Sequence, residues 1–385
     1  MTRRRATVLV TGVSARALAR SALAAGHDVV AVDGFGDRDL VEHRPQSLRH
    51  VLAHPFRPAH AARLAAAIRA DAVAYASNFE NFPSALATLG AGRAIWGNTP
   101  AVLRQVRRAE SVTAALRAAD LPAPRLGHES EDRVATRWLV KPRRSGGGRG
   151  IRVWSPGDRV RRSEYLQESM DGTPGSLVFL ADGRDIAPLA LTRQLVGDAR
   201  LGGWGHCYVG SQLASQRHPL FEAQSSLMES ARRAAATLTH AFGLVGLNTV
   251  DFIARDGVAW PVEVNPRHSA SVELIERELD TSLFNAHVEA VQGALPRRLH
   301  DPLGWSAVPG KAVLYARRRF TMAGSDALLA SSDVADVTAD GTVVSAGAPV
   351  CTVFARGTTH DNCLDALIAR GIEILPQLRR ESEAA

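Results

Sequence analysis

Residues 246–267 read GLNTVDFIARDGVAWPVEVNPR. Two runs rich in β-branched and aromatic residues flank an Asp-Gly pair, which predicts a β-hairpin. With the three-residue connection Asp256-Gly257-Val258, Asp251 falls directly opposite Glu263 on one face. Asn265, two positions beyond Glu263, shares that face through the strand period. A two-residue turn would shift the register by one and weaken the pairing. Three oxygen donors on one face, two of them anionic, suit a hard cation such as Mg²⁺, which takes one or two carboxylates and completes its shell with water and phosphate. The competing reading is a surface hairpin with solvated acids. Against it, the polar residues alternate with Val262 and Val264 and converge just before Pro266.

A second stretch lies more than a hundred residues upstream, WLVKPRRSGGGRGI at 138–151. Trp138–Val140 and Ile151–Trp154 are both short apolar runs, so the glycines occupy the tip of a hairpin. That placement excludes a Walker A loop, which joins a strand to a helix and carries G-x-x-x-x-G-K-[ST]. Glycines at such a tip let consecutive backbone N–H groups approach phosphate oxygens without interference from Cβ. Lys141, one of only two lysines in the chain with Lys311, stands at the base and adds a point charge. Alone, the loop reads equally well as a mobile tip; the carboxylate hairpin downstream gives it a partner.

Together, K-P-x(4)-G-G-x-G-I and D-x(11)-E-x-N-P-R resemble the ATP-grasp superfamily and occur in its order. The resemblance implies that Lys141, Ser145 and the glycines Gly146, Gly147, Gly148 and Gly150 cover the phosphates of ATP. It implies that Asp251, Glu263 and Asn265 bind magnesium (or manganese), and that Arg267 touches the γ-phosphate or an acyl phosphate. Tyr165 to Gly172 is similar to the hinge that pairs with adenine, with Val140, Gln167, Glu168 and Met170 as contacts. The tail from Ala335 to Val350 is similar to the closing domain of carboligases related to biotin carboxylase. Three positions depart from the family pattern. Arg107-Arg108 replaces an earlier lysine, Pro174 or Gly175 stands where an acid often holds the ribose, and Thr249 replaces a basic residue.

The rest of the chain fits around these motifs. Its 385 residues require two or three packed domains. Strand-like runs at Thr7–Val10, Val29–Asp33, Ala72–Ala76 and Ala94–Trp96 alternate with helices, one of them capped by Ser14 and ended by Gly26. This βαβ pattern predicts a parallel sheet, and with Gly12 alone in the first turn it lacks a dinucleotide fingerprint. A helical region runs from Asn98 to Leu116, a hairpin turns near Asp182-Gly183, and helices span about Phe221–Phe242 and Asp361–Arg370. The expected fold is α/β and α+β: an N-terminal parallel βαβ domain over 1–100, an ATP-grasp fold over 101–295 with its lid at about 110–165, and a small mixed C-terminal domain over 296–385.

Composition narrows the function classes. Hydrophobic content of 45% and charged content of 22% are those of a globular chain. The formal charge of +7 comes from arginines spread along the chain, and only 5% of residues are aromatic, so no nucleic acid partner is expected. Three widely spaced cysteines, Cys207, Cys351 and Cys363, form neither a disulfide framework nor a zinc pattern. Without a signal core after the initial arginines or an apolar run of membrane length, the expectation is a cytoplasmic protein with no membrane partner. On the substrate side, Arg193 is placed to hold a carboxylate or acyl phosphate, and Gly202 to Gly210 offers backbone donors. His206 beside Cys207 suggests a nucleophilic dyad only weakly, because adjacent strand residues face opposite ways. The reaction expected is ligation of a small carboxylate to an amine through an acyl phosphate. A bicarbonate-dependent carboxylase and a non-catalytic nucleotide-binding module are the alternatives. A homodimer is compatible with the resemblance.

Overall fold

The computed structural model describes residues 5–42, 46–127, 137–297 and 299–380. Residues 1–4, which belong to the arginine-rich start read above, lie outside the described residues.

Near the N-terminus, five strands form a parallel sheet in the order β3-β2-β1-β4-β5: β1 (Thr7–Gly12), β2 (Asp28–Asp33), β3 (Leu48–Leu52), β4 (Ala72–Tyr75) and β5 (Ala94–Ile95). Alternate residues feed two cores. Val8, Val10 and Ala31 pack with Phe284 and Val288 from the helix Phe284–Val291, while Leu9, Val30 and Val73 pack with Phe79 and Leu86. The chain order reverses between β1 and β4, and the crevice beyond the carboxyl ends of such strands is a natural binding position. The short turn Phe79–Asn81 lies just after β4.

Two local expectations are corrected. The first helix, Arg16–Ala24, has no side-chain cap; the Ser14 hydroxyl donates to Asp37 instead (3.5 Å), although Gly26 does end the turn at φ +90°. The helical run expected from Asn98 to Leu116 is two helices, Pro100–Val106 and Ala109–Ala118. Arg107 and Arg108 stand at the break.

A three-stranded lid sheet follows in the order β7-β6-β8, from β6 (Trp138–Pro142), β7 (Arg152–Val153) and β8 (Glu164–Glu168). Leu139 pairs with Val153, so the glycines do occupy a hairpin tip. Trp138, Val140 and Leu166 form the lid's own small core. A fully buried aromatic of this size contributes roughly 3 kcal/mol, enough to keep the short sheet in register.

The central sheet is antiparallel with eight strands. It comprises β9 (Thr173–Asp182), β10 (Ile186–Val196), β11 (Tyr208–Leu213), β12 (Val245–Arg255), β13 (Val258–Asn265) and β14 (Val308–Tyr315), and also β16 (Val334–Ala335) and β18 (Pro349–Gly357). Small strands β15 (Phe320–Met322), β17 (Val343–Val344) and β19 (Arg379–Arg380) form a separate sheet. The order β13-β12-β9-β10-β11-β14-β18-β16 carries C-terminal strands directly onto the central sheet, with Lys311 of β14 paired to Ser211 of β11. One face buries Leu177, Phe179, Leu191 and Phe252 in the core shared with the helices Gln224–Phe242 and His360–Gln377. On the other face Val178, Leu180 and Leu247 meet the helices Ala270–Leu279 and Phe284–Val291. Towards β13 this second face turns polar, and the site lies there.

Candidate functional site

The β12–β13 hairpin turns through two residues, Asp256 (φ 52°) and Gly257 (φ 71°), with Arg255 paired to Val258. That is the left-handed pattern of a tight hairpin, not the three-residue connection expected. A bulge between Asp251 and Phe252 shifts the register, and Asp251 stands opposite Glu263 after all. The extra residue is Val262. Because the ladder no longer needs its carbonyl, that oxygen accepts from Lys141 Nζ (3.3 Å) and Gln167 Nε2 (3.5 Å). Asn265 donates through Nδ2 to Asp251 Oδ2 (2.9 Å), and Thr249, opposite Asn265, bonds Ser269.

Neighbouring strands continue this row: Asp251 pairs with Ser176, Ser176 with Thr192, and their hydroxyls meet at 2.6 Å. Arg193, the next residue, therefore points to the opposite face. It lies alongside Gln212 and near Asp361 and His360, and burial lowers its guanidinium pKa. The expectation that Arg193 holds the reacting carboxylate is corrected by strand parity. Gly175 shares that opposite face, packed against Phe252 and Phe221.

Charge is concentrated around the two acids. Burial, then Glu263, pushes the Asp251 carboxyl well up. Burial also pushes Glu263 up, but Arg107 and then Lys141 outweigh it and hold that carboxyl below its usual range. Arg107 Nη1 donates to Glu263 Oε1 at 2.7 Å. Arg267 Nη2 donates to Asn265 Oδ1 (3.0 Å), and Nε donates to Glu80 Oε1 (3.1 Å). Two carboxylates and an amide in register, with cations as their only counter-charges, are a donor set that fits Mg²⁺. Among the described residues no group of three or more His, Cys, Asp or Glu side chains is placed to hold a metal ion by itself, so an ion here would need Asn265, water or phosphate oxygens besides the two acids.

Opposite these acids lies the lid. Lys141, buried, donates to Gln167 Oε1 (3.0 Å), and Tyr165 lines the same cleft. The cleft has Arg107, Ser145, Gly146, Gly148, Val262 and Glu263 on its walls. The amides of Gly146, Gly147 and Gly148 donate to no acceptor among the described residues. Gly148 (φ 73°) lies so close to the β10–β11 loop that a Cβ would come within 1.7 Å of His206 O. Tyr208 N–H donates to Gly147 O (3.1 Å), so this is a closed lid. Gly150 also has positive φ, and the Ser145 hydroxyl bonds Arg149 O.

The Glu168 side chain turns towards Arg125. Its carboxylate takes the Arg125 guanidinium (3.2 Å) and its N–H donates to Arg125 O (2.9 Å). Half-buried Met170 follows just beyond β8. Cys207 is buried and its thiol is pushed up by burial, which argues against the nucleophilic dyad.

Sequence reasoning missed the N-terminal domain's part. Asn98, fully buried, donates to Val245 O, Asn248 Oδ1 and Pro266 O, and Tyr75 Oη also reaches Pro266 O (3.2 Å). These bonds fix the strand end that carries Arg267. Glu80, wholly buried, pairs with Arg267, while its Oε2 has no partner among the described residues. Asn81 accepts from Arg107. The only trace of this in the sequence is the polar run Ser77-Asn78-Phe79-Glu80-Asn81 after a buried strand.

Residues 110–271 match the family described as ATP-grasp domain. The carbamoyl phosphate synthase large chain of Mycobacterium sp. (strain JLS) is 28% identical over 242 residues, which take in 59% of this chain and 21% of that protein. The chain thus spans about a fifth of that relative's length. Among solved structures, an L-amino acid ligase from Bacillus licheniformis superposes with a TM-score of 0.69 at 13% identity, over 96% of this chain and 98% of the ligase. A biotin carboxylase–β-γ-ATP complex from Campylobacter jejuni gives a TM-score of 0.68 at 13% identity, over 97% and 91% of the two chains. At such identities these two structures establish the fold.

Proposed function

We propose that this chain, whose residues 110–271 match the ATP-grasp domain and which is similar to ATP-dependent ligases and carboxylases, joins a small carboxylate to an amine through an acyl phosphate, releasing ADP and phosphate. The carrying observation is the closed arrangement of Lys141 and the free glycine amides over the Asp251–Glu263 pair. The amides of Gly146 to Gly148 and Lys141 hold the phosphates of ATP, and the apolar lid residues around Val140 with Gln167 take the adenine. Asp251, Glu263 and Asn265 hold Mg²⁺, which supplies charge neutralisation at the transferring phosphoryl group. Arg267, oriented by Glu80 and Asn265, stabilises the acyl phosphate that the amine attacks. Positioning and electrostatics supply the rate enhancement.

The test is a screen of ADP formation over candidate carboxylates and amines, with Lys141→Ala as the blank. Turnover that requires both substrates supports the proposal. Turnover with bicarbonate and no amine supports a carboxylase instead.

A further inference from the structure

Arg107 makes more bonds between parts of the molecule than any feature of its sequence would suggest. Its Nη1 donates to Glu263 Oε1 (2.7 Å) and to Val264 O (2.9 Å) on β13. Its Nε and Nη2 donate to Asn81 Oδ1 (3.2 and 3.0 Å) in the N-terminal domain. Nη2 also donates to Ser145 O (3.2 Å) at the start of the glycine loop. Asn81 Nδ2 reaches the same carbonyl at 3.1 Å, so Ser145 O is held from two sides. The guanidinium is 12% exposed and lies on the wall of the cleft.

Three parts of the molecule therefore meet on one planar fork: the turn after β4, the glycine loop and the Glu263 carboxylate. The break between the helices Pro100–Val106 and Ala109–Ala118 makes this possible, because Arg107 caps the first helix and leaves its surface. A lysine here would offer three donors on a single nitrogen, whereas the guanidinium spreads its donors over Nε, Nη1 and Nη2 and so reaches the three sites from one plane.

We propose that Arg107, oriented by Asn81, is a resident cation of the metal site and the latch of the lid. It occupies Glu263 while no metal is bound, competes with the incoming divalent ion for that carboxylate, and holds the glycine loop closed through Ser145 O. Once the ion takes Glu263, Nη1 is released to the phosphate chain that enters beneath the loop. Arg107 thus opposes binding of the metal alone and favours binding of the metal–nucleotide pair, which suppresses occupancy by free metal. This rests on the metal–nucleotide reading of the site, and Asn81 is a positioning residue.

The experiment measures Mn²⁺ affinity of the full chain without nucleotide, by water-proton relaxation, for the parent and Arg107→Gln. In parallel, tryptic cleavage at Arg144 and Arg149, both exposed in the loop, reports lid closure. Loss of the competing cation is expected to tighten Mn²⁺ binding at least fivefold and to weaken Mn²⁺–ATP binding about tenfold. It is also expected to speed loop cleavage about tenfold, and Asn81→Ala is expected to speed it similarly. A merely structural role would weaken both ligands or neither. Mn²⁺ binding unchanged or weaker in Arg107→Gln overturns the competition, and unchanged cleavage in both variants overturns the latch. Absence of Mn²⁺ binding to either chain contradicts the metal reading of the site and the competition with it, whereas the cleavage arm still decides the latch.

Discussion

Asp251 faces Glu263 across the β12–β13 hairpin only because Val262 is bulged out between them and their turn. The Asp256-Gly257 turn by itself would set Asp251 against Val262 and send Glu263 to the far face. One extra residue thus secures the acidic pair and frees a carbonyl for Lys141. The lid base and the acidic face are joined at that oxygen.

Replacing Gly148 with alanine is expected to open the lid. The residue sits at φ 73° and its new Cβ would collide with His206 O, a backbone atom that cannot rotate away. The loop must lift, so ATP turnover should fall by at least about tenfold, as for a displaced phosphate donor. The melting temperature should stay within about 2 °C, because the tip contributes little core. Turnover assays and a thermal melt on the same preparation check this; unchanged turnover contradicts the closed lid.

Asn98→Ala should be costly for stability. Its amide satisfies Val245 O, Asn248 Oδ1 and Pro266 O, and its carbonyl accepts from Val245 N–H (2.9 Å). Leaving these groups buried and unpaired costs on the order of 3 kcal/mol. Urea unfolding measures the loss, and a change below about 1 kcal/mol would show that water replaces the side chain.

Stability should fall as pH rises through the range set by Glu276. Burial pushes this carboxyl from 4.5 to about 7, although the Ser21 hydroxyl and Leu283 N–H both donate to it and nearby Glu273 adds a little. The unfolded chain loses this proton first, so the contribution is complete below pH 4.5 and is lost by pH 7. The difference is up to about 3 kcal/mol. Glu276→Gln should therefore be more stable than the parent at pH 8, with the gap closing near pH 4. A gap that does not change with pH contradicts this assignment.

Arg193→Ala distinguishes the two faces of the central sheet. Arg193 points away from Asp251, towards Asp361. Turnover should fall less than about threefold, whereas a group holding the acyl phosphate would cost about a hundredfold or more. A loss of the larger size would return Arg193 to the reaction centre.

The sequence was most legible where chemistry and period coincide. The hairpin tip of Gly146–Gly150, the parallel N-terminal strands and the acidic pair all follow from local patterns. Yet the Asp251–Glu263 pairing arises by a different route, a shorter turn plus a bulge, and the trace of that bulge in the sequence is Pro261, a residue that sheets confine to edges and bulges. The break at Arg107 was hidden because neither glycine nor proline marks it; tertiary contacts with Glu263 and Asn81 favour it. Arg193 was misplaced because strand parity is set by neighbours, and a further irregularity between Pro188 and Ala190 shifts the count along β10. Glu80 and Asn81 were invisible for the simplest reason, lying about 180 residues from the strand they support.

Calorimetric titration of the full chain with ATP and Mg²⁺ tests the central claim most directly, with Lys141→Ala and Glu263→Gln alongside. The predicted result is Mg²⁺-dependent binding in the parent that weakens at least about tenfold in each variant, the loss expected for one charge-assisted contact. No heat of binding in the parent, or equal affinity in all three chains, would contradict the nucleotide site beneath the glycine lid.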